Sequence, residues 1–289
     1  MNAMEDLFYT TNKILLRCVR KIIIGSFSTR KIKIPSFLKM KWIFFTFSSV
    51  FLFLTSYSKK ANPKITFLIA EREYLTEETL PAFARSHLIE EFRIAYCLAD
   101  KEGETRHTLK NSEHIDDADL LFVSVRRRAF TTKVMNRIRI HIKKGKPVAG
   151  IRTASHAFQL RKEALPAGHQ EWTKWDSEVI GGNYNGHLGK GLSCKIQSTS
   201  GGVNHEILNK VKLPFSTPAT LYRNSPLPKS SLALLIGIVE NHPPEPVAWI
   251  NQTSSGGKVF YTSLGHVEDF KKPSFNKLLK NGINWCIDQ

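Results

Sequence analysis

Three stretches of this sequence set ionisable or hydroxyl side chains directly behind short apolar runs. Glu71-Arg72-Glu73-Tyr74 follows residues 65–70. Ser124-Val125-Arg126-Arg127-Arg128 closes the run 119–125, and Arg152-Thr153-Ala154-Ser155-His156 follows residues 147–151. Arginine beside glutamate and histidine suits an anionic or polyhydroxylated ligand, because guanidinium groups make charge-assisted and often bidentate hydrogen bonds. A fourth stretch, 181–189, holds Gly181, Gly182, Gly186 and Gly189 around Asn183, Tyr184 and His187. Four glycines in nine residues call for a loop with special backbone angles, and loops held by a scaffold are where sites gather. A fifth stretch, 261–269, brings His266, Glu268 and Asp269 to the end of another apolar run.

These positions define the candidate site. Arg126, Arg128, Arg152, Thr153, Asn183, Tyr184 and His266 are candidate substrate-binding residues. His187 and His156 are candidate proton carriers, with Glu71 and Asp269 as assisting carboxylates. The bland alternative for each arginine is a solvated surface charge, and for each histidine a hydrogen-bonded loop residue. His156, His187 and His266 with Glu71 and Asp269 could also surround a divalent metal, but the sequence has no HxH or HExxH, so spacing specifies no metal and the cofactor is left unknown. Residues 150–155 (GIRTAS) read as a strand turning into a helix, the place of a nucleophile elbow. Its tip is Arg152, which is no nucleophile, and Ser155 reads as a helix cap. The glycine loop is no phosphate loop, since GKS/T is missing.

The elements that must position these residues alternate. Residues 65–70, 92–99, 119–125 and 147–151 are near-continuous apolar runs, as strands buried on both faces would be. Between them 76–91 and 131–144 have helical spacing, the second capped by Thr131 or Thr132, and 155–161 is expected to be a helix too. The second half adds strands at 192–199, 231–239, 247–251 and 258–263, then a closing helix at 273–287. This predicts an α/β fold with a parallel sheet and helices on both faces, in one domain over residues 63–289. Ligands of such sheets sit beyond the carboxyl ends of the strands, where the polar stretches fall.

The 289 residues suffice for a well-buried core. Of the net charge of +17, residues 1–58 supply +7, from nine Lys and Arg against Glu5 and Asp6, leaving +10 for the rest. No nucleic-acid-binding module accompanies this charge, so no specific nucleic-acid partner is expected. Four cysteines, Cys18, Cys97, Cys194 and Cys286, imply no disulfide framework. Residues 42–54 (WIFFTFSSVFLFL) form a thirteen-residue apolar run behind Lys39 and Lys41, the length of a signal-peptide core rather than a membrane span. The expectation is an export signal or anchor over 40–58, with Met40 as the true start and 1–39 a basic extension, and membrane contact through this segment alone.

The stretches FLIAEREYLTEETLPAF (67–83), LLFVSVRRRAF (120–130), KPVAGIRTASHAFQ (146–159), WDSEVIGGNYNGH (175–187), EPVAWI (245–250) and VFYTSLGHVEDF (259–270) resemble the ThuA-like (trehalose utilisation) family. The resemblance implies a flavodoxin-like fold related to the class I glutamine amidotransferases, whose elbow carries Cys. Here Arg152 stands in that place, so amidotransferase activity is not implied. The family is associated with trehalose and keto-sugars, which implies a small carbohydrate partner. Two readings remain open from sequence: an exported enzyme on a carbohydrate or keto-sugar, and a non-catalytic carbohydrate-binding or envelope interaction domain. The oligomeric state is not encoded in any motif.

Overall fold

A computed structural model describes residues 61–189 and 191–288. The export segment, the Met40 start and Cys18 lie outside these residues.

Seven residues, Lys64–Ala70, are buried along their whole length and make strand β1. It pairs in parallel with β2 (Arg93–Leu98) on one side and β3 (Leu120–Val125) on the other, in registers Ile65↔Ile94 and Ile65↔Leu120. The two-residue strand β4 (Phe130–Thr131) leads into the second helix. Then β5 (Val148–Ile151) joins β3 in parallel, Leu121 facing Val148. The short β6 (His169–Gln170) pairs with β4 outside the main sheet. From there the chain builds β7 (Cys194–Ser198), β8 (Phe215–Thr217), β9 (Leu232–Ile238), β10 (Glu245–Gln252) and β11 (Lys258–Thr262).

The main sheet runs β2-β1-β3-β5-β11-β10-β9-β7-β8. Its first five strands are parallel, as expected, with Val259 of β11 beside Val148 of β5. The last four strands extend it antiparallel, short hairpins joining β9 to β10 and β10 to β11 where crossover helices joined the earlier strands.

Helix α1 (Thr76–His87) and helix α3 (Pro273–Ile287) cover one face, and α2 (Thr132–Lys143) the other. The alternation of β1 shows why. Ile65, Phe67 and Ile69 join Leu80, Phe83, Leu278 and Ile283 in one core, while Leu68 and Ala70 join Met135, Ile138 and Ile142 in the second. Thr131 caps α2, its hydroxyl accepting from Val134 N at 3.4 Å. α3 lies so close to the sheet that a Cβ on Gly282 would stand 2.3 Å from the Phe260 ring. The helix expected at 155–161 is not formed: the chain makes one 3-10 turn, Arg152–His156, and then runs irregularly. All five residues of that turn are buried, which leaves no solvent face for a longer amphipathic helix.

Candidate functional site

The elbow is present in geometry. At the carboxyl end of β5 the backbone of Arg152 enters the left-handed region, φ +50°, before the 3-10 turn. Such a conformation in a non-glycine residue is strained and points to a site. The side chain turns inward, however, and is only 1% exposed. Its guanidinium donates to Ser263 O at 2.6 Å, Thr220 O at 3.1 Å, Thr220 Oγ1 at 3.0 Å and Tyr74 Oη at 3.3 Å. It lies between two aromatic rings, 4.7 Å from the centre of Tyr74 and 4.4 Å from that of Tyr222. Arg152 therefore ties the ends of β5 and β11 to two tyrosines whose other sides face a cavity, and does not itself line it.

That cavity, about 430 Å³, opens between the loops after β1, β3 and β5. It adjoins a second lobe of about 610 Å³, and Arg127, Arg161, His156, Tyr184 and His187 form their shared wall. Both volumes fall in the range of small-molecule sites, about 300–1,000 Å³.

The glycine loop is held from both sides. Trp249 Nε1 donates to Ile180 O at 2.9 Å and Asn251 Nδ2 to Val179 O at 3.0 Å, which pins the turn before it. Beyond that turn, Asn185 N donates to Arg223 O and Leu188 N to Leu221 O, zipping the loop onto residues 221–223. Tyr184 is thereby set 4.8 Å from Tyr222 and stacked on His156 at 4.4 Å, 25° between planes. Asp176 fastens the loop: its Oδ2 accepts from Tyr184 N at 2.7 Å, and Gly182 passes so near that a Cβ would meet Oδ1 at 2.3 Å. Burial raises the Asp176 carboxyl to about 6 against that one N–H bond.

His156 is 7% exposed, with Ser155 Oγ 3.1 Å from its Nδ1. Burial first, then the positive fields of Arg127, Arg126 and Arg152, hold its pKa well below the imidazole value, so it is neutral at neutral pH. His187 is exposed, its Nδ1 2.7 Å from Leu188 O. Arg126 pairs with Glu73 at 2.8 Å, and Asn183 reaches the second lobe while donating to Pro226 O.

Of the expected site residues, Arg126, His156, Asn183, Tyr184 and His187 line the two lobes. The others do not, for local reasons. Arg128 is 1% exposed and spends its donors on Ala70 O, Asp100 O and Lys101 O; burial lowers its pKa to about 10. Glu71 is 2% exposed, and its carboxylate accepts from Arg72 N, Glu73 N and the Thr153 hydroxyl, which accounts for both expected residues. Burial raises the Glu71 pKa against those bonds. Asp269 is fully buried and accepts from Gly265 N and His266 N, holding the loop after β11. His266 touches Tyr74 edge-on at 6.2 Å, outside both linings. Glu71 and Asp269 thus act as backbone anchors, and among the described residues no three His, Cys, Asp or Glu converge as metal ligands would.

Sequence reasoning missed Arg127, Arg161, Tyr74 and Tyr222. Arg127 takes φ +51°, which reverses the expected alternation and turns it outward while Arg128 turns in. Tyr222 and Arg161 come from connections with no periodic signal. Tyr74 sat in the first stretch of interest and went unchosen.

A mixed α/β sheet whose parallel half ends in a turn at Arg152, with polar loops over its carboxyl edge, defines a fold that presents a cleft at its strand ends. The chain belongs to the ThuA family, described as trehalose utilisation, whose profile matches residues 72–286. A solved ThuA-like protein from Parabacteroides merdae superposes with a TM-score of 0.54 at 12% identity, over 78% of this chain and 90% of that one. A glutamine amidotransferase from Methylobacillus flagellatus is also similar, with a TM-score of 0.39 and 11% identity over 78% and 94% of the two chains. A cold-adapted β-galactosidase from Rahnella sp. R3 gives 0.47 and 11%, over 78% of this chain and 31% of that one. No curated protein matches the chain in sequence.

Proposed function

We propose that this is an exported ThuA-like protein whose two-lobed cleft binds a carbohydrate, acts on it by proton transfer, and has no glutamine amidotransferase activity. One observation carries the reading: His156, Tyr184 and His187 meet in the wall shared by two polar lobes at the carboxyl edge of the parallel strands. Tyrosine beside donors and acceptors serves a sugar, whose C–H faces pack on apolar surface while its hydroxyls seek polar partners. Neutral His156, whose cation the surrounding arginines disfavour, can hydrogen-bond the ligand, and exposed His187 is the group placed to move a proton. The buried arginine at the elbow supports the loss of amidotransferase chemistry, and the apolar run 42–54 supports export.

The test is calorimetric titration of the full chain with trehalose, other disaccharides and 3-keto sugars, followed by product analysis of any ligand that binds. Binding with product formation, lost in His187→Ala with affinity kept, is the expected result. Binding without product supports instead a carbohydrate-binding domain, the reading that the absent nucleophile favours. Failure of every sugar to bind refutes both.

A further inference from the structure

The two lobes differ in charge. The smaller is lined by six cations, Arg72, Arg106, Arg126, Arg127, Arg161 and Lys162, against two carboxylates, Glu73 and Glu163. Both carboxylates are already engaged: Glu73 with Arg126, and Glu163 with Arg106. Arg72 also reaches Glu102 at 3.8 Å, so three cations of the lining, Arg127, Arg161 and Lys162, are left without a carboxylate partner among the described residues. Arg127 is half-buried, and its side chain reaches only Gln159, by long contacts of 3.4 Å to the backbone and amide oxygens. Burial lowers its pKa, the mark of a guanidinium that would gain from an anion. The larger lobe is built differently. Apart from the shared wall its polar groups are Ser155, Gln159, Thr173, Ser177, Asn183 and Asn185, hydroxyls and amides that suit neutral sugar hydroxyls, with Asp176 and Arg223 beside them.

Resting on the carbohydrate reading above, we propose that the physiological ligand is an acidic carbohydrate of about disaccharide size. Its carboxylate or phosphate lies between Arg127 and Arg161 in the smaller lobe, and its neutral sugar lies against the amides of the larger lobe. A neutral sugar would bury those guanidinium groups without compensation, which costs free energy, whereas an anion gains charge-assisted and bidentate bonds there. The cleft would also attract such a ligand over distance, an effect weakened by salt.

The experiment is titration of the full chain, at low and at high sodium chloride, with matched probes. The neutral arm is glucose and trehalose, the carboxylate arm glucuronate and cellobiouronate, the phosphate arm glucose 6-phosphate and trehalose 6-phosphate, and inorganic phosphate is the control. One acidic arm is expected to bind at least about tenfold tighter than its neutral counterpart, with the advantage shrinking at high salt. Arg127→Gln and Arg161→Gln should each remove most of that advantage, the affinity for the acidic sugar falling much further than that for its neutral counterpart. Arg161 is exposed, so its variant tests the idea even if Arg127→Gln disturbs its turn. Equal affinity for acidic and neutral sugars overturns this proposal while leaving the carbohydrate site standing. Inorganic phosphate binding as tightly as the phosphosugars overturns it too, since the second lobe would then contribute nothing. No binding in any arm overturns both readings.

Discussion

Replacing Arg152 by methionine should destabilise the protein severely. Methionine keeps an unbranched, mostly apolar stem but is shorter and cannot donate, so Ser263 O and Thr220 O lose their partners, as do Tyr74 Oη and Thr220 Oγ1. The two carbonyls alone cost about 1–3 kcal/mol each when left unpaired in the interior. The tyrosine rings lose a cation between them, worth about 0.5–2 kcal/mol. Against this, the fold no longer has to bury a charge, and Arg152 Nε, which has no partner, disappears. The net loss is set at about 3–5 kcal/mol, the unpaired carbonyls and the lost cation–π contacts less the relief from burying a charge. For a domain of this size that lowers Tm by roughly 6–20 °C. Arg152→Lys should keep less than half of the native stabilisation, because one ammonium cannot span both carbonyls and the tyrosine. Urea unfolding followed by tryptophan fluorescence reads both variants, since Trp175 and Trp249 are buried near the site. A loss below about 1 kcal/mol for methionine, with an unchanged m-value, would refute the idea that this arginine is a structural clamp.

Asp176 and Gly182 give two further tests. Because burial raises the Asp176 pKa from 3.8 to about 6, the folded protein holds a proton between about pH 4 and 6 that the unfolded chain has released, so this group makes stability fall as pH rises through that window. Asp176→Asn should match the wild type near pH 4 and exceed it by up to about 3 kcal/mol at pH 8 in urea unfolding; an advantage independent of pH would disprove the assignment. Gly182→Ala should cost about 1–3 kcal/mol and abolish ligand binding, because its Cβ would lie 2.3 Å from Asp176 Oδ1 and 3.0 Å from the Trp249 ring, while Gly189→Ala, with no neighbour within 4 Å, should leave stability within error. Equal behaviour of the two alanine variants in the same unfolding assay would remove the packing argument.

Much of this protein is determined by its sequence alone. The runs 65–70, 119–125 and 147–151 are apolar without alternation, as suits strands covered on both sides, and the helices at 76 and 132 carry their own spacing, the second with Thr131 as its cap. Polar residues placed straight after such strands had to meet at one edge, so Arg126 and His156 could be read as neighbours before any coordinates, while Tyr184 and His187 were marked only by their glycine-rich loop. The elbow was legible as well, since small residues flank Arg152 in a strand-to-turn segment.

What only the tertiary structure decided is which way each polar side chain faces. Three successive arginines look alike in sequence, yet a left-handed residue at Arg127 sends Arg128 into the interior to serve backbone carbonyls. Glu71 and Asp269 have the residue type of catalytic carboxylates, but unpaired N–H groups in the loops beside them took both as acceptors. Tyr222 reaches the cleft because residues 221–223 pair with the glycine loop, a contact between segments more than thirty residues apart that leaves no local pattern. Periodicity records burial along one element; the direction of a single loop side chain depends on the partners that other elements deliver to it.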